Sequence, residues 1–243
     1  MYFKPALLAS ALLFASINVH AELTSYNPNG VELVYSSVSD VTWTKDANLF
    51  KTLYDADNTL IDKIIAVTPT FNDPHFGLQT IDASDFNTSN GRVSWWGGFA
   101  FVDYLNSVNY GGSDQWRLPT VVNAQAGYNT PTNGTAAGDE LPELFYQELG
   151  GIQGKAIPDT DMFDNEQSWT YWTGTEHASL DTFAWAFYTS IGNQYFFSRN
   201  NFQFHVWAVT PGLVAAVPEA STYAMLLAGL GVLGAVARRR RAL

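Results

Sequence analysis

The sequence has no cysteine, and it sets only 12 lysines and arginines against 23 aspartates and glutamates. The first absence excludes disulfide staples, thiolate metal sites and a cysteine nucleophile. The second excludes the basic surface that phosphate backbones require, so nucleic acid is not an expected partner. Charge of either sign is scarce, at 14% of 243 residues, while 15% are aromatic and 47% hydrophobic. That composition is too apolar for a disordered chain. The averages mix unlike segments, however, and both ends differ from the middle.

At the N-terminal end, Lys4 precedes an apolar run from Ala6 to Ala15 and the pattern Val19-His20-Ala21. A basic start, a short apolar core and small residues before a cleavage point read as a secretory signal peptide over 1–21, cut between Ala21 and Glu22. The run is too short to span a bilayer comfortably. At the other end stand Pro218 and Glu219, an uncharged stretch from Thr222 to Ala237, and Arg238, Arg239, Arg240 and Arg241. Sixteen helical residues reach about 24 Å, short of a ~30 Å hydrocarbon core. A thinner bilayer or snorkelling side chains would close the gap. The arginines would hold that end on the cytoplasmic side while the signal peptide exports the rest.

This C-terminal order of Pro-Glu, short apolar helix and arginine cluster resembles the PEP-CTERM sorting signal, with Ala220 where a second proline often stands. The resemblance implies a bacterial protein exported through the Sec translocon and held transiently in the membrane by residues 217–243. An exosortase-type transpeptidase would then process it near Pro218-Glu219. A permanent single-span anchor is the plainer alternative. The resemblance also implies association with exopolysaccharide-producing bacteria, with the product at the cell surface or in the extracellular matrix.

Residues 22–216 read as one domain. With Lys4 and Arg238 to Arg241 set aside, seven cations remain against 22 anions, a net charge of −15. All eight tryptophans lie there, so large rings are expected to build the core. Val31–Tyr35 and Val41–Trp43 read as strands. Residues 55–92 read as mainly loop, with Leu60–Val67 either a strand or a helical turn. Trp95–Val108 reads as the first good helix, its stripe carried by Trp95, Phe99, Val102 and Leu105 and weakened by Gly97-Gly98. Glu140–Leu149 reads as the second, with Leu141, Leu144, Phe145 and Leu149 on one face and Asp139 as N-cap. Residues 125–138 read as a flexible loop. The last third reads as antiparallel strands at Ser168–Thr173, Phe183–Thr189, Gln194–Ser198 and Phe202–Thr210, with a tight turn at Gly192-Asn193. In the last of these, Phe202, Phe204, Val206 and Ala208 face one way and Gln203, His205, Trp207 and Val209 the other.

A series of motifs punctuates these elements: Val41 to Asn48 (VTWTKDAN), a Trp-led helix, Gln115 to Thr120 (QWRLPT), Leu144 to Gly150, Tyr171 to Glu176 (YWTGTE), Ala184 to Phe187 and Trp207 to Gly212 (WAVTPG). Their order resembles the DUF1566 family, also called the Lcl C-terminal domain family, over most of residues 31–212. The resemblance implies an α+β, C-type-lectin-like domain, with a twisted antiparallel sheet and two flanking helices. Thr210 departs from the pattern, since family members often carry Arg there.

Carboxylates are the only abundant chemical groups. Two of them across a groove would make a polysaccharide hydrolase, but Asp139, Glu140, Asp159, Asp161, Asp164, Glu166 and Glu176 read mostly as solvated loop residues. Asp159 to Glu166 alternates oxygen ligands as a calcium loop does, yet lacks the central glycine and distal glutamate of an EF-hand. A structural calcium is the only cofactor this reading leaves open. The EPN or QPD and WND tripeptides of calcium-dependent lectins are missing, so the implied fold does not bring that site with it. His75, His177 and His205 are too scattered in sequence for a zinc motif. Arg117, within Trp116-Arg117-Leu118-Pro119, is expected to tie loops together through a bidentate carboxylate pair. The expected function is therefore a non-enzymatic, exported surface or matrix protein with a binding module for exopolysaccharide or surface proteins. The charge balance favours neutral sugars or proteins over polyanions. An extracellular hydrolase and a matrix filler with no discrete ligand are the rival readings.

Overall fold

The computed structural model describes residues 23–130 and 138–215. The signal-peptide and sorting-signal residues lie outside these, including Ala21, Glu22, Pro218, Glu219 and the four C-terminal arginines. Strands β1 (Leu23–Tyr26), β2 (Leu33–Ser36) and β3 (Val41–Thr44) form an antiparallel sheet that β11 (Val209–Pro211) completes, in the order β1-β2-β3-β11. Trp43 stands opposite both Val34 and Val209 in the register. Strands β8 (Thr170–Glu176), β9 (Phe183–Tyr188) and β10 (Asn193–Ser198) form a second antiparallel sheet, with β9 central. Two hairpins, β4 (Thr70–Asp73) with β5 (Gly77–Thr80) and β6 (Phe86–Asn87) with β7 (Arg92–Val93), stand apart from both.

The helices outnumber the expected pair, and the antiparallel strands fall into four sheets rather than one twisted sheet. Helix α1 (Leu49–Ala56) was not anticipated, and Leu60–Val67 resolves as helix α2. Both are eight residues long, too short to be stable alone, and rely on packing. Leu49, Phe50, Leu60 and Ile64 enter the core beside α3 (Trp95–Ser107). Ser94 caps α3, accepting from the Gly97 amide at 2.9 Å. The apolar stripe of α3 is wider than its sequence period suggests, because Ala100 and Phe101 are buried as well. Such a helix is enclosed on most sides. Its glycine at 98 permits close approach: a Cβ there would stand 3.2 Å from Val206.

The 140–149 element departs from expectation. Only Glu140–Glu143 is α-helical (α4), and Leu144–Glu148 continues as a π-helical turn. Its apolar face is as read, with Leu141, Leu144, Phe145 and Leu149 all buried. Asp139 does not cap it. Its carboxylate instead accepts from the amides of Val122 and Asn123. Phe202–Thr210 is not one strand. It pairs in single bridges with Val93 and Tyr171 before entering β11, whose first residue, Val209, also bridges to Arg117.

That bridging run separates two buried clusters. Phe204, Val206 and Ala208 join the helices and Trp172 in the first, while Trp207 and Val209 join Val34, Trp43, Phe145, Tyr171 and Phe187 in the second. Alternation therefore persists although both faces are buried, one against each core. The chain enters and leaves this domain at neighbouring points. The Val214 amide donates to the Tyr26 hydroxyl at 3.1 Å, which contacts Thr42 Oγ1 at 3.0 Å. Gly192, with φ of +73°, turns β9 into β10, and a Cβ there would clash with the Tyr146 hydroxyl at 2.5 Å. Among the described residues, no helix is long and apolar enough to cross a membrane.

Candidate functional site

Most of the motif residues are consumed by the interior. Trp116 and Leu118 are buried, the Trp116 indole donates to the Tyr110 carbonyl at 2.9 Å, and the Pro119 carbonyl accepts from Gly174 at 2.8 Å. Arg117 forms a two-pronged pair with Glu140, at 2.9 and 2.6 Å. Glu140 also accepts from the Thr120 amide at 2.7 Å. This joins the 116–120 segment to the start of α4. Thr210, where the family often carries Arg, is buried and hydrogen-bonded to Ser113 at 2.6 Å.

Two carboxylates read with the solvated loop residues, Asp139 and Glu140, are buried, and Glu143 is buried beside them. Asp139 is satisfied by the Val122, Asn123, Asn129 and Gln194 donors. Burial nevertheless raises its carboxyl, and raises Glu143 too. Burial pushes Glu148, in the π-turn, up to about 7, against weaker pulls from Ser36 and the Val38 amide.

The Glu148 shift has a pH consequence. A carboxylate raised in the folded state binds its proton more tightly there than in the unfolded chain. Its contribution is therefore fully present below about 4.5, the ordinary value, and is lost as pH rises through about 7. Glu148→Gln should flatten this fall and raise stability near about pH 8 by about 1–3 kcal/mol, allowing for partial solvent screening. Urea unfolding at about pH 5 and about pH 8 checks this, and identical pH slopes in both proteins would rule it out.

The acidic loop at 159–166 does not gather ligands. Phe163 turns inward against Trp207, with ring centroids 4.7 Å apart, and Asp164 pairs with Lys45 at 3.5 Å. Among the described residues no group of three or more histidines or acids converges to hold a metal. A buried ring and a lysine organise the loop. His205 is buried, and desolvation, helped by the Arg92 charge, pushes it down to about 4. His75 and His177 do come together, on one cleft.

That cleft adjoins an ionic centre the sequence did not reveal. Arg199, fully buried, pairs with the equally buried Asp73 at 2.7 Å and with Glu176 at 2.9 Å. It also donates to the Asp181 carbonyl and lies 4.7 Å from the Trp95 ring centroid. Burial alone would raise Asp73, but the Phe76 amide, the Trp96 indole, the His75 amide and Arg199 together hold it below the usual carboxylate range. Its neighbours Asn200 and Asn201 suggest a solvated turn, which is why Arg199 is not singled out by sequence. The scarcity of cations was the available signal, since an arginine among so many acids has many partners to choose from.

Two clefts open beside this centre. One, of about 260 Å³, is lined by Pro74, His75, Glu176, His177, Ala178 and Asp181. The other, of about 350 Å³, is lined by the 199–203 turn with Ser84, Asp85, Ser94 and Trp96. Rings connect them: His177 to Phe196 at 4.4 Å, Phe196 to Tyr195 at 4.6 Å, Tyr195 to Phe197 at 5.8 Å and Phe197 to Phe202 at 5.3 Å.

Comparison with known families places this architecture. The model of the Lcl C-terminal domain matches residues 32–210, and that of the PEP-CTERM protein-sorting motif matches residues 216–241. No curated protein and no solved structure matches the chain. The sorting motif marks the chain for export and exosortase processing, at the cell surface or outside the cell.

Proposed function

Because the chain belongs to the Lcl C-terminal domain family, we propose that its folded domain is a non-catalytic binding module of a surface or matrix protein, contacting extracellular polysaccharide or surface proteins. The apolar segment from Thr222 to Ala237 holds it in the membrane until the exosortase acts near Pro218-Glu219, and the domain is kin to C-type-lectin-like folds. The observation that carries this reading is the sorting motif joined to a domain of that family. Two features support it. The clasp of Val214 on Tyr26 lets the domain be tethered from one place. Three of the buried carboxylates, Asp73, Asp139 and Glu140, are committed to internal donors, so these three are not free for acid–base work.

The test incubates the exported protein with its host's own exopolysaccharide and follows both retention and polymer length. Retention at constant length is expected. Shortening that disappears on substitution of Glu176 or Asp181 would replace the module with a hydrolase, and neither retention nor shortening would leave a filler. Mass spectrometry of the surface form is expected to end near residue 218, and an intact Arg241 would reveal a permanent anchor.

A further inference from the structure

We propose that an uncharged polysaccharide chain lies along strand β10, its sugar rings stacked on Tyr195 and Phe202 and its hydroxyls donating to Glu176 and Asp181. This rests on the binding-module reading above and gives it a site and a ligand class.

The rings come first. Tyr195 and Phe202 are 44% and 45% exposed, although this domain hides most of its aromatic side chains. Both touch Phe197, which bounds their separation at about 11 Å, so a chain of linked rings reaches both. One face of Tyr195 is fixed against Phe196 at an interplanar angle of 11°. The exposed ring is thereby held in place, and a ligand need not order it on binding. Flat amphipathic rings offer large contact area at small rotamer cost.

The polar groups lie at one end of this strip, where Phe196 meets His177 of the first cleft. Glu176 is 40% exposed, and one of its oxygens is held by the buried guanidinium of Arg199 at 2.9 Å. Its position is set by the interior while it faces the cleft. Asp181 has its carbonyl held by the same guanidinium, and its side chain is 71% exposed and 3.7 Å from His75. Nδ1 of His177 accepts from the amides of Ser179 and Leu180 at 3.2 and 3.1 Å, which leaves Nε2 as a donor. In the second cleft the Asn201 and Gln203 amides each give one hydrogen to Ser198 or Ser84, which leaves the second hydrogen of each as a donor. Donors and acceptors of both kinds beside aromatic faces suit a polymer of hydroxyl-bearing rings.

Charge decides the class. Arg199 is already matched by Asp73 and Glu176, and the clefts also carry Asp85 and Asp181. A sulfated, phosphorylated or uronic chain would meet like charge, whereas an uncharged one meets acceptors for its hydroxyls. Each cleft is small, at about 260 and 350 Å³, which favours a chain crossing from one to the other over a compact ligand enclosed in either.

The test uses the exported protein purified from its host, in affinity electrophoresis through gels containing dextran, hydroxyethyl cellulose, galactomannan or dextran sulfate. Retardation by at least one neutral polymer is expected, with none by dextran sulfate. Tyr195→Ala and Phe202→Ala should each weaken binding about tenfold or more, and Asp181→Asn severalfold, with each variant still folded by circular dichroism at the assay temperature. A Tyr195→Ala/Phe202→Ala protein that still binds a neutral polymer would overturn the strip assignment. Stronger retardation by dextran sulfate would overturn the ligand class. Retention of the protein by host matrix separates the two levels. If matrix is bound but no neutral polymer is, or if binding vanishes when the matrix is digested with protease, the inference fails and the module reading stands. If matrix is not bound either, both fail.

Discussion

Replacing Arg199 with methionine is expected to lower unfolding free energy by about 3–5 kcal/mol, the usual cost of removing one partner from a buried ion pair. Methionine fills much of the same volume, so the loss reports charge rather than a cavity. Asp73 would keep the His75 and Phe76 amides and the Trp96 indole but lose the cation paired with it, in a position with no access to solvent. Arg199→Lys should recover little. An ammonium lacks the planar fork that reaches Asp73, Glu176 and the Asp181 carbonyl at once while lying near Trp95. Glu176→Gln should cost far less, because that side chain is part exposed and such pairs contribute little. Urea unfolding measures all three, and an Arg199→Met loss under about 1 kcal/mol would show that the centre is not a structural hub. The same variant should disturb the clefts on either side, because Glu176 and the 199–203 turn take their positions from this guanidinium.

What the sequence made legible follows from where periodicity survives folding. The alternation in 202–209 identified correctly which residues point together, although the run is not a strand, because extended backbone alternates whether or not its neighbours form a continuous ladder. Its partners, Val93, Tyr171 and Arg117, come from three unrelated segments, and nothing local encodes them. Leu60–Val67 is ambiguous by pattern, since a short apolar run suits either element, and contact with α3 settles it as a helix. The β4–β5 hairpin escaped notice because Thr70–Thr80 carries little buried apolar surface and so has no alternation to read. The Lcl motifs were visible because most of their residues are core, and apart from Glu176 they describe the fold and not a ligand site. Trp43, Trp172 and Trp207 are all inaccessible. Arg117 needed a carboxylate by its surroundings, but Glu140 lies 23 residues away among acids of equal standing. Arg199 and Asp73 are further apart still, and each sits in a segment whose composition suggests solvent. The strip along β10 was readable only as a set of aromatics, since exposure is a property of the packed domain.

Trp207→Ala is expected to cost about 3–5 kcal/mol, the range for truncating a buried tryptophan, and to lower Tm on the order of 10 °C for a domain of this size. Trp207 is fully buried at the centre of the second cluster. Its ring contacts Trp43 at 5.3 Å, Phe163 at 4.7 Å and Tyr171 at 5.5 Å, and its indole donates to the Thr44 carbonyl at 2.9 Å. These partners come from β3, the acidic loop and β8, so the truncation loosens three segments at once. Phe163 is the buried anchor of residues 159–166. Without Trp207 it loses that ring contact, and the loop should become more open to protease while the rest stays folded. Trp207→Phe keeps a ring but loses the indole donor and should fall between the two. Limited proteolysis read by mass spectrometry, alongside thermal unfolding, distinguishes local from global loss. If Trp207→Ala lowers Tm without increasing cleavage within 159–166, then the Lys45–Asp164 pair and the backbone bonds of Asp164 to Lys45 and Ala47 hold the loop without the ring.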